Sequence, residues 1–318
     1  RIAAAVAERG PFDLVLASDM TNVAALLGLV RREIGEAPVA VYMHENQLTF
    51  PRAPDDREDL TYAMVNWTSM VAADLVIFNS EFHRGSWFGA LPGLLARMPD
   101  QRHSRLVESV ADRSTVLPVG ADLAALDCIE RTANDRPVLL WNQRWQHDKG
   151  PGQFAMALAV LLDEGLEFDV ALAGDRAAEP APALVELRGV LGDRLLHDGH
   201  ADLDDYRRLL RRSDIVVSTA HHEFFGVAVT EAVHAGAFPV LPNRVVYPER
   251  LPESSHRTCL FGTDAELLER LRWAIRHPGD VAMIAAELRP VMAAFDWSIV
   301  APRYDAVLAG LVARSGPR

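Results

Sequence analysis

Lys149 is the one lysine among 32 lysine and arginine residues, and it shares a short polar segment with Arg144. The segment follows a candidate strand at residues 138–141 and ends where a candidate helix begins. An ammonium is a compact point charge whereas a guanidinium is a wider planar fork, so a tight anionic site can require lysine. Two cations beside the free N–H groups of a helix start can hold a diphosphate. The alternative is a pair of solvated loop cations.

Two glutamates form a second cluster. Glu223 and Glu231 follow a candidate strand at residues 215–218, and Gly226 lies between them where the next helix starts. Glycine at that point permits close approach of the backbone to a ligand. We expect both carboxylates to project toward the same mouth between domains as Arg144 and Lys149. A plain surface pair has the same spacing and remains the alternative.

A third polar cluster, His44-Glu45-Asn46-Gln47, follows a candidate strand at residues 38–43. Polar side chains at the carboxyl end of a strand suit hydrogen bonding to a polyhydroxylated or nucleoside ligand. His44 has the side chain to carry a proton near neutral pH, and a structural hydrogen bond is an equally good interpretation.

These clusters need a scaffold that places strand ends together. Short apolar strands alternate with longer amphipathic segments along the chain, which predicts an α/β protein with two doubly wound domains. The predicted limits are 1–122 for the N-terminal domain, 123–295 for the C-terminal domain, and 296–318 for a last helix that packs back on the first domain. The predicted strands are 13–17, 38–43, 75–79, 115–118, 138–141, 168–173, 215–218, 238–241 and 259–261. The predicted helices are 21–34, 58–72, 81–98, 102–111, 152–164, 183–191, 203–212, 226–235, 265–276, 280–295 and 299–313.

Composition and missing motifs exclude several classes of protein. The net charge of -12 disfavours a broad basic surface for non-specific nucleic-acid binding, and two cysteines suit a reducing cytoplasm. No apolar run is long enough to predict a membrane span. Neither G-x-G-x-x-G after a strand nor G-x-x-x-x-G-K-S/T occurs, so a dinucleotide cofactor is disfavoured and a P-loop is excluded. The histidine pairs at 197/200 and 221/222 match no zinc spacing, and the arginines within 207–212 are typical of a solvated helix face.

Four longer motifs resemble one group of enzymes. Residues 43–48 (MHENQL), 141–149 (WNQRWQHDK), 222–227 (HEFFGV) and 242–249 (PNRVVYPE) are similar to the tRNA-queuosine mannosyltransferases. The ordered set of Arg144, Lys149, Glu223 and Glu231 resembles the nucleotide-sugar site of retaining family 4 glycosyltransferases with the GT-B fold. The resemblance implies two Rossmann-like domains facing across a cleft. It also implies that the N-terminal domain is incomplete, because nothing before Asp13 matches the family's first strand and Gly-rich loop.

The resemblance implies transfer of mannose from GDP-mannose, with retention, to the cyclopentenediol of queuosine in tRNA, in the cytoplasm and without a metal or another cofactor. It implies that Arg144 and Lys149 neutralise the leaving diphosphate, that Glu223 contacts the sugar and that Glu231 holds the ribose. His44 is expected on the acceptor side as a catalytic aid. The other expected substrate-binding residues are Glu45, Asn46, Gln47, Asn142, Phe224, Phe225, Gly226 and Val227. Two alternatives stay open, namely a transferase with another donor or a small-molecule acceptor, and a non-catalytic nucleotide- or RNA-binding module.

Overall fold

The computed structural model describes residues 2–51, 59–99, 102–174 and 182–314. The chain divides into two compact α/β units. Unit 1 comprises Arg1–Pro118 with Val300–Arg318, and unit 2 comprises Val119–Ile299. None of the described helices is long and apolar enough to cross a membrane.

Unit 1 contains a sheet of four parallel strands in the order β1, β2, β3, β4. These strands are β1 (Val15–Ser18), β2 (Val39–Met43), β3 (Leu75–Phe78) and β4 (Ser114–Val116). Every residue of β2 and β3 is buried, which is typical of central strands in a parallel α/β sheet. The helices of this part of the chain are α1 (Ile2–Arg9), α2 (Val23–Leu29), α3 (Thr61–Ala72), α4 (Glu81–Leu95) and α5 (Ser104–Asp112).

Large side chains from two helices fill the core of unit 1. Trp67 and Met70 of α3 and Trp87 and Leu91 of α4 are fully buried in one cluster with the inward residues of the strands. The pair in α3 is spaced by three residues and the pair in α4 by four, so the two members of each pair lie on one face of their helix. The predicted start of α3 at residue 58 lies outside the described residues.

Unit 2 contains six parallel strands in the order β10, β9, β8, β5, β6, β7. They are β5 (Val138–Trp141), β6 (Asp169–Ala173), β7 (Leu195–Gly199), β8 (Ile215–Val217), β9 (Phe238–Pro242) and β10 (Leu260–Phe261). The sequence did not predict β7, because this edge strand is half-exposed and lacks an apolar run. The helices introduced in this unit are α6 (Ala124–Asp127), α7 (Pro151–Asp163), α8 (Pro182–Leu191), α9 (Leu203–Arg212), α10 (Val227–His234), α11 (Tyr247–Arg250), α12 (Glu253–Cys259), α13 (Asp264–Arg276) and α14 (Pro278–Ala293).

The last helix, α15 (Trp297–Arg314), begins in unit 2 and continues as part of unit 1 from Val300 onward. The Tyr304 hydroxyl donates to the carbonyl oxygens of Leu117 and Pro118 at 3.3 and 3.1 Å. The units divide at 118/119 and 299/300, a few residues from the predicted limits at 122/123 and 295/296. The limits differ because Asp296 forms a β-bridge with Ala121. The bridge holds together the two segments that connect the units, and both therefore belong to unit 2.

Candidate active site

Strands β5 and β8 are neighbours, so their carboxyl ends bring together the two loops of unit 2 that carry candidate residues. The His221 N–H donates to the Asp148 carbonyl at 2.7 Å, and the Thr219 hydroxyl donates to the Lys149 carbonyl at 2.9 Å. Gly150 has φ +63°, and a Cβ there would lie 2.5 Å from the Thr219 carbonyl oxygen. A larger residue would therefore push the loops apart.

Lys149 lies at the contact between these loops and is buried. Its Nζ donates to the His222 carbonyl at 2.6 Å and lies 3.1 Å from Asp148 Oδ2 and 3.4 Å from Glu223 Oε2. The structure thus brings together Lys149 and Glu223, as the sequence suggested, and adds the buried Asp148. Arg144 lies exposed earlier in the same loop. The ammonium is enclosed by two carboxylates and a carbonyl, a setting that favours a compact cation over a planar fork.

The carboxylate of Glu223 organises its own loop. Its Oε1 accepts the N–H groups of Phe224, Phe225 and Gly226 at 3.1, 3.3 and 3.0 Å, while Oε2 is the atom nearest Lys149. Gly226 has φ +82° and ends the loop where α10 begins. The carboxylate assigned to sugar contact therefore already bonds to backbone and to Lys149.

Replacing Glu223 with alanine is expected to lower the free energy of unfolding by roughly 1–3 kcal/mol, because part-buried N–H groups lose their acceptor. Urea unfolding followed by circular dichroism measures the change. Glu223→Gln is the matched control, since its carbonyl oxygen can still accept those N–H groups. Equal unfolding midpoints for Glu223→Ala and the wild type would contradict the loop-organising role.

Phe224 and Phe225 have buried side chains. The ring of Phe224 meets His222 at 4.6 Å between centroids, and the ring of Phe225 lies 4.5 Å from the Arg250 guanidinium carbon. Both side chains pack inside unit 2, and substrate binding by Phe224 and Phe225 stays a prediction. Val227, the first residue of α10, is half-exposed.

Glu231 belongs to a hydrogen-bonded chain with Tyr206 and Asn142. The Tyr206 hydroxyl donates to Glu231 Oε2 at 2.9 Å, and Asn142 Nδ2 lies 3.1 Å from the same hydroxyl and 2.8 Å from the Ala228 carbonyl. Burial raises the pKa of Glu231, even though the Tyr206 hydrogen bond opposes the shift. Burial and the nearby Glu231 charge raise the pKa of Tyr206 as well, so the phenol remains a donor. The sequence did not single out Tyr206, because its partner is determined by how α9 packs against α10.

The segment after β9 is anchored to the segment after β8. Arg244 Nε donates to the Ala220 carbonyl at 3.0 Å, and the hydroxyls of Tyr247 and Ser218 lie 2.7 Å apart. Val245, which lies between Arg244 and Tyr247 in the sequence, has φ +52°, a strained conformation for a β-branched residue. Such strain persists only where neighbouring contacts determine the backbone, and here those contacts join the motif at 242–249 to the segment that follows β8.

In unit 1 the end of β2 meets the end of β1. His44 Nδ1 lies 3.0 Å from Asp19 Oδ1, and Asp19 Oδ2 accepts the N–H groups of His44 and Glu45 at 3.3 and 3.0 Å. The hydrogen bond to Asp19 raises the pKa of His44, and the charges of Asp19 and Glu45 add to the shift against partial burial. Asp19 was missed in the sequence, although it directly follows β1 and so lies at a strand end like the other candidates.

The remaining residues of the His44 cluster divide into two kinds. Gln47 Nε2 lies 3.5 Å from Glu45 Oε2, and both side chains are half-exposed. Asn46 is fully buried, donates to the Ser86 hydroxyl at 3.0 Å and accepts the Leu48 N–H at 2.9 Å. Both ends of its amide therefore hold the turn, and contact of Asn46 with a ligand stays a prediction.

Within the described ranges, no group of three or more histidine, cysteine, aspartate or glutamate residues is arranged to hold a metal ion.

Two solved structures illustrate this architecture. The sucrose-phosphate synthase (tll1590) from Thermosynechococcus elongatus is similar with a TM-score of 0.75 at 16% identity, covering 98% of this chain and 76% of that one. Anabaena Alr3699/HepE in complex with UDP is similar with a TM-score of 0.70 at 18% identity, covering 97% of this chain and 81% of that one. Two parallel-sheet α/β units with these neighbours show that the chain has the GT-B fold.

Sequence comparison identifies the family. Residues 2–121 match the family described as tRNA-queuosine alpha-mannosyltransferase N-terminal, and residues 128–286 match the glycosyl transferases group 1. The tRNA-queuosine alpha-mannosyltransferase of Drosophila melanogaster is 33% identical over 276 residues, which are 84% of this chain and 72% of that protein. The chain belongs to the tRNA-queuosine alpha-mannosyltransferase family, and the resemblance seen in its motifs is confirmed.

Proposed function

We propose that this glycosyltransferase moves mannose from GDP-mannose to the cyclopentenediol of queuosine in tRNA, with retention at the anomeric carbon and without a metal. The observation that carries the proposal is the 33% identity to the Drosophila enzyme, whose name states both the queuosine acceptor and the alpha-mannosyl product. The tRNA acceptor and the free thiols of Cys128 and Cys259 suit a reducing cytoplasm.

The donor is assigned to unit 2. Lys149 and Arg144 are proposed to neutralise the diphosphate as it leaves, since preorganised charge at a leaving group is commonly the largest catalytic contribution. Glu231 is proposed to accept hydrogen bonds from the ribose, for which its Oε1 and the second lone pair of Oε2 remain suited. Glu223 orders the loop that precedes α10 and contacts the sugar through that loop. No metal is required in this scheme, because the cations carry the charge compensation.

The acceptor is assigned to unit 1, where His44 is the proposed catalytic aid. Its imidazole can hydrogen-bond to a hydroxyl group, and Glu45 and Gln47 supply further polar atoms beside it. The net charge of -12 favours recognition of the modified nucleoside over general attraction to RNA.

Mass spectrometry of nucleosides from treated tRNA tests this function. With GDP-mannose, queuosine-containing tRNA is expected to gain the mass of one hexose, whereas the same tRNA lacking queuosine gains nothing. UDP-glucose in parallel reactions tests the donor, and free queuosine nucleoside tests a small-molecule acceptor. Unmodified queuosine tRNA together with glycosylation of another acceptor would reject the proposal.

A further inference from the structure

The carboxylate of Asp19 makes three polar contacts at the end of β2, with the ring and N–H of His44 and with the N–H of Glu45. Its side chain is 8% exposed whereas that of His44 is 54% exposed. A carboxylate only accepts hydrogen bonds, so the 3.0 Å contact places the imidazole proton on Nδ1. The other nitrogen, Nε2, then has a lone pair on an exposed ring.

The turn that carries Asp19 is held in an unusual conformation. Met20 has φ +60°, the left-handed region that a non-glycine residue rarely adopts. The buried Asn66 of α3 accepts the Met20 N–H at 2.6 Å, and Ser69 of the same helix donates to the Thr21 carbonyl at 2.9 Å. Backbone strain at a turn that presents a carboxylate to a histidine is typical of positioned functional groups.

The charges of Asp19 and Glu45 favour the protonated form of His44. Asp19 follows β1, Glu45 follows His44 after the end of β2, and both raise the pKa of His44. The neutral ring of Tyr42 packs edge-on at 4.8 Å, and Tyr304 of α15 packs against Tyr42 from the other side. The carboxylates therefore strengthen Nε2 as a hydrogen-bond acceptor.

We propose that Asp19 is the positioning residue of His44, fixing the tautomer in which Nε2 accepts a hydrogen bond from a hydroxyl group of the bound substrate. The inference rests on the proposed function for the identity of that substrate, but the Asp19–His44 pairing does not depend on it. Asp19 acts through the imidazole and the backbone that carries it, so it needs no contact with the substrate.

Asp19→Asn is the central variant, because an asparagine amide can donate to Nδ1 and so favour the opposite tautomer. The pKa of His44, measured by NMR titration, is expected to fall relative to the wild type. The acidic limb of the pH–rate profile is expected to shift to lower pH. The value of kcat is expected to fall about tenfold with the donor KM unchanged, which is less than the 10² to 10⁴ that a general acid–base group contributes, because the imidazole itself remains. Asp74→Asn is the matched control. Asp74 accepts the Val39 N–H at 2.8 Å at the start of β2, whereas His44 follows the other end of this strand.

A double-mutant comparison separates positioning from an independent role. Asp19→Asn is expected to cost little further activity in a His44→Gln background, whereas additive losses would overturn the inference. An unchanged His44 pKa in Asp19→Asn would overturn it as well, with the proposed function intact. Nitrogen NMR shifts of wild-type His44 provide a measurement that needs no variant. A neutral His44 with its proton on Nε2 would contradict the proposal, whichever molecule receives the sugar.

Discussion

Replacing Lys149 with methionine is expected to lower kcat/KM by about 10² to 10³, the usual cost of removing one preorganised charge from a leaving group. The methionine fills the space of the lysine stem but carries no charge, so the diphosphate loses its compact cation. Steady-state kinetics with GDP-mannose and queuosine tRNA measures the loss. Lys149→Arg retains the charge, yet it is expected to lose most activity because a planar fork cannot occupy the enclosed ammonium position.

Replacing Lys149 with methionine also leaves the buried Asp148 without its cation. Breaking a buried ion pair costs about 3–5 kcal/mol, so activity should be normalised to the folded fraction. Arg272→Met is the control, since it removes a paired cation elsewhere in unit 2, where Arg272 bonds to Glu164 at 2.6 Å. Wild-type turnover in Lys149→Arg would show that any cation at this position suffices.

Glu231→Gln is expected to lower kcat/KM by about 100-fold, mainly through a higher KM for the donor. Hydrogen bonds to a charged group contribute roughly 1.5–3 kcal/mol, and the amide offers one neutral acceptor in place of the carboxylate. Donor binding is also expected to weaken as pH falls through the raised pKa of Glu231, because protonation produces the same loss. Kinetics across pH, with Glu164→Gln as a control carboxylate in the same unit, tests both effects.

The stability of the fold is expected to change with pH in the direction opposite to that of donor binding. Because the folded-state pKa of Glu231 lies above its ordinary value of 4.5, the native state binds the proton more tightly than the unfolded chain. Ionisation therefore destabilises the fold as pH rises through that interval, and the cost is present at higher pH. Glu231→Gln removes this cost and retains the bond from Tyr206, so its melting temperature at neutral pH should match or exceed that of the wild type. A marked fall in melting temperature would indicate a structural role.

Most of what the sequence could predict follows from one rule, which is that ligand-binding residues of a parallel α/β sheet lie at the carboxyl ends of its strands. It located the loops of Lys149 and Glu223 correctly, because parallel order places the ends of neighbouring strands together. It could not separate Asn46 from Glu45, since residue type alone does not reveal which polar side chain turns inward. Asp19 and Tyr206 were missed because their partners are distant in sequence and depend on strand register and helix packing.

Unit 1 is assembled from two stretches of chain that are separated by the whole of unit 2. During synthesis residues 1–118 leave the ribosome before unit 2, and the stretch from Val300 onward leaves it after unit 2. Unit 2 can therefore fold while translation continues, whereas unit 1 must wait for the helix whose Tyr304 bonds to Leu117 and Pro118. A premature stop codon directly after Ile299 would spare the unit assigned to the donor and leave the unit that carries His44 unfinished.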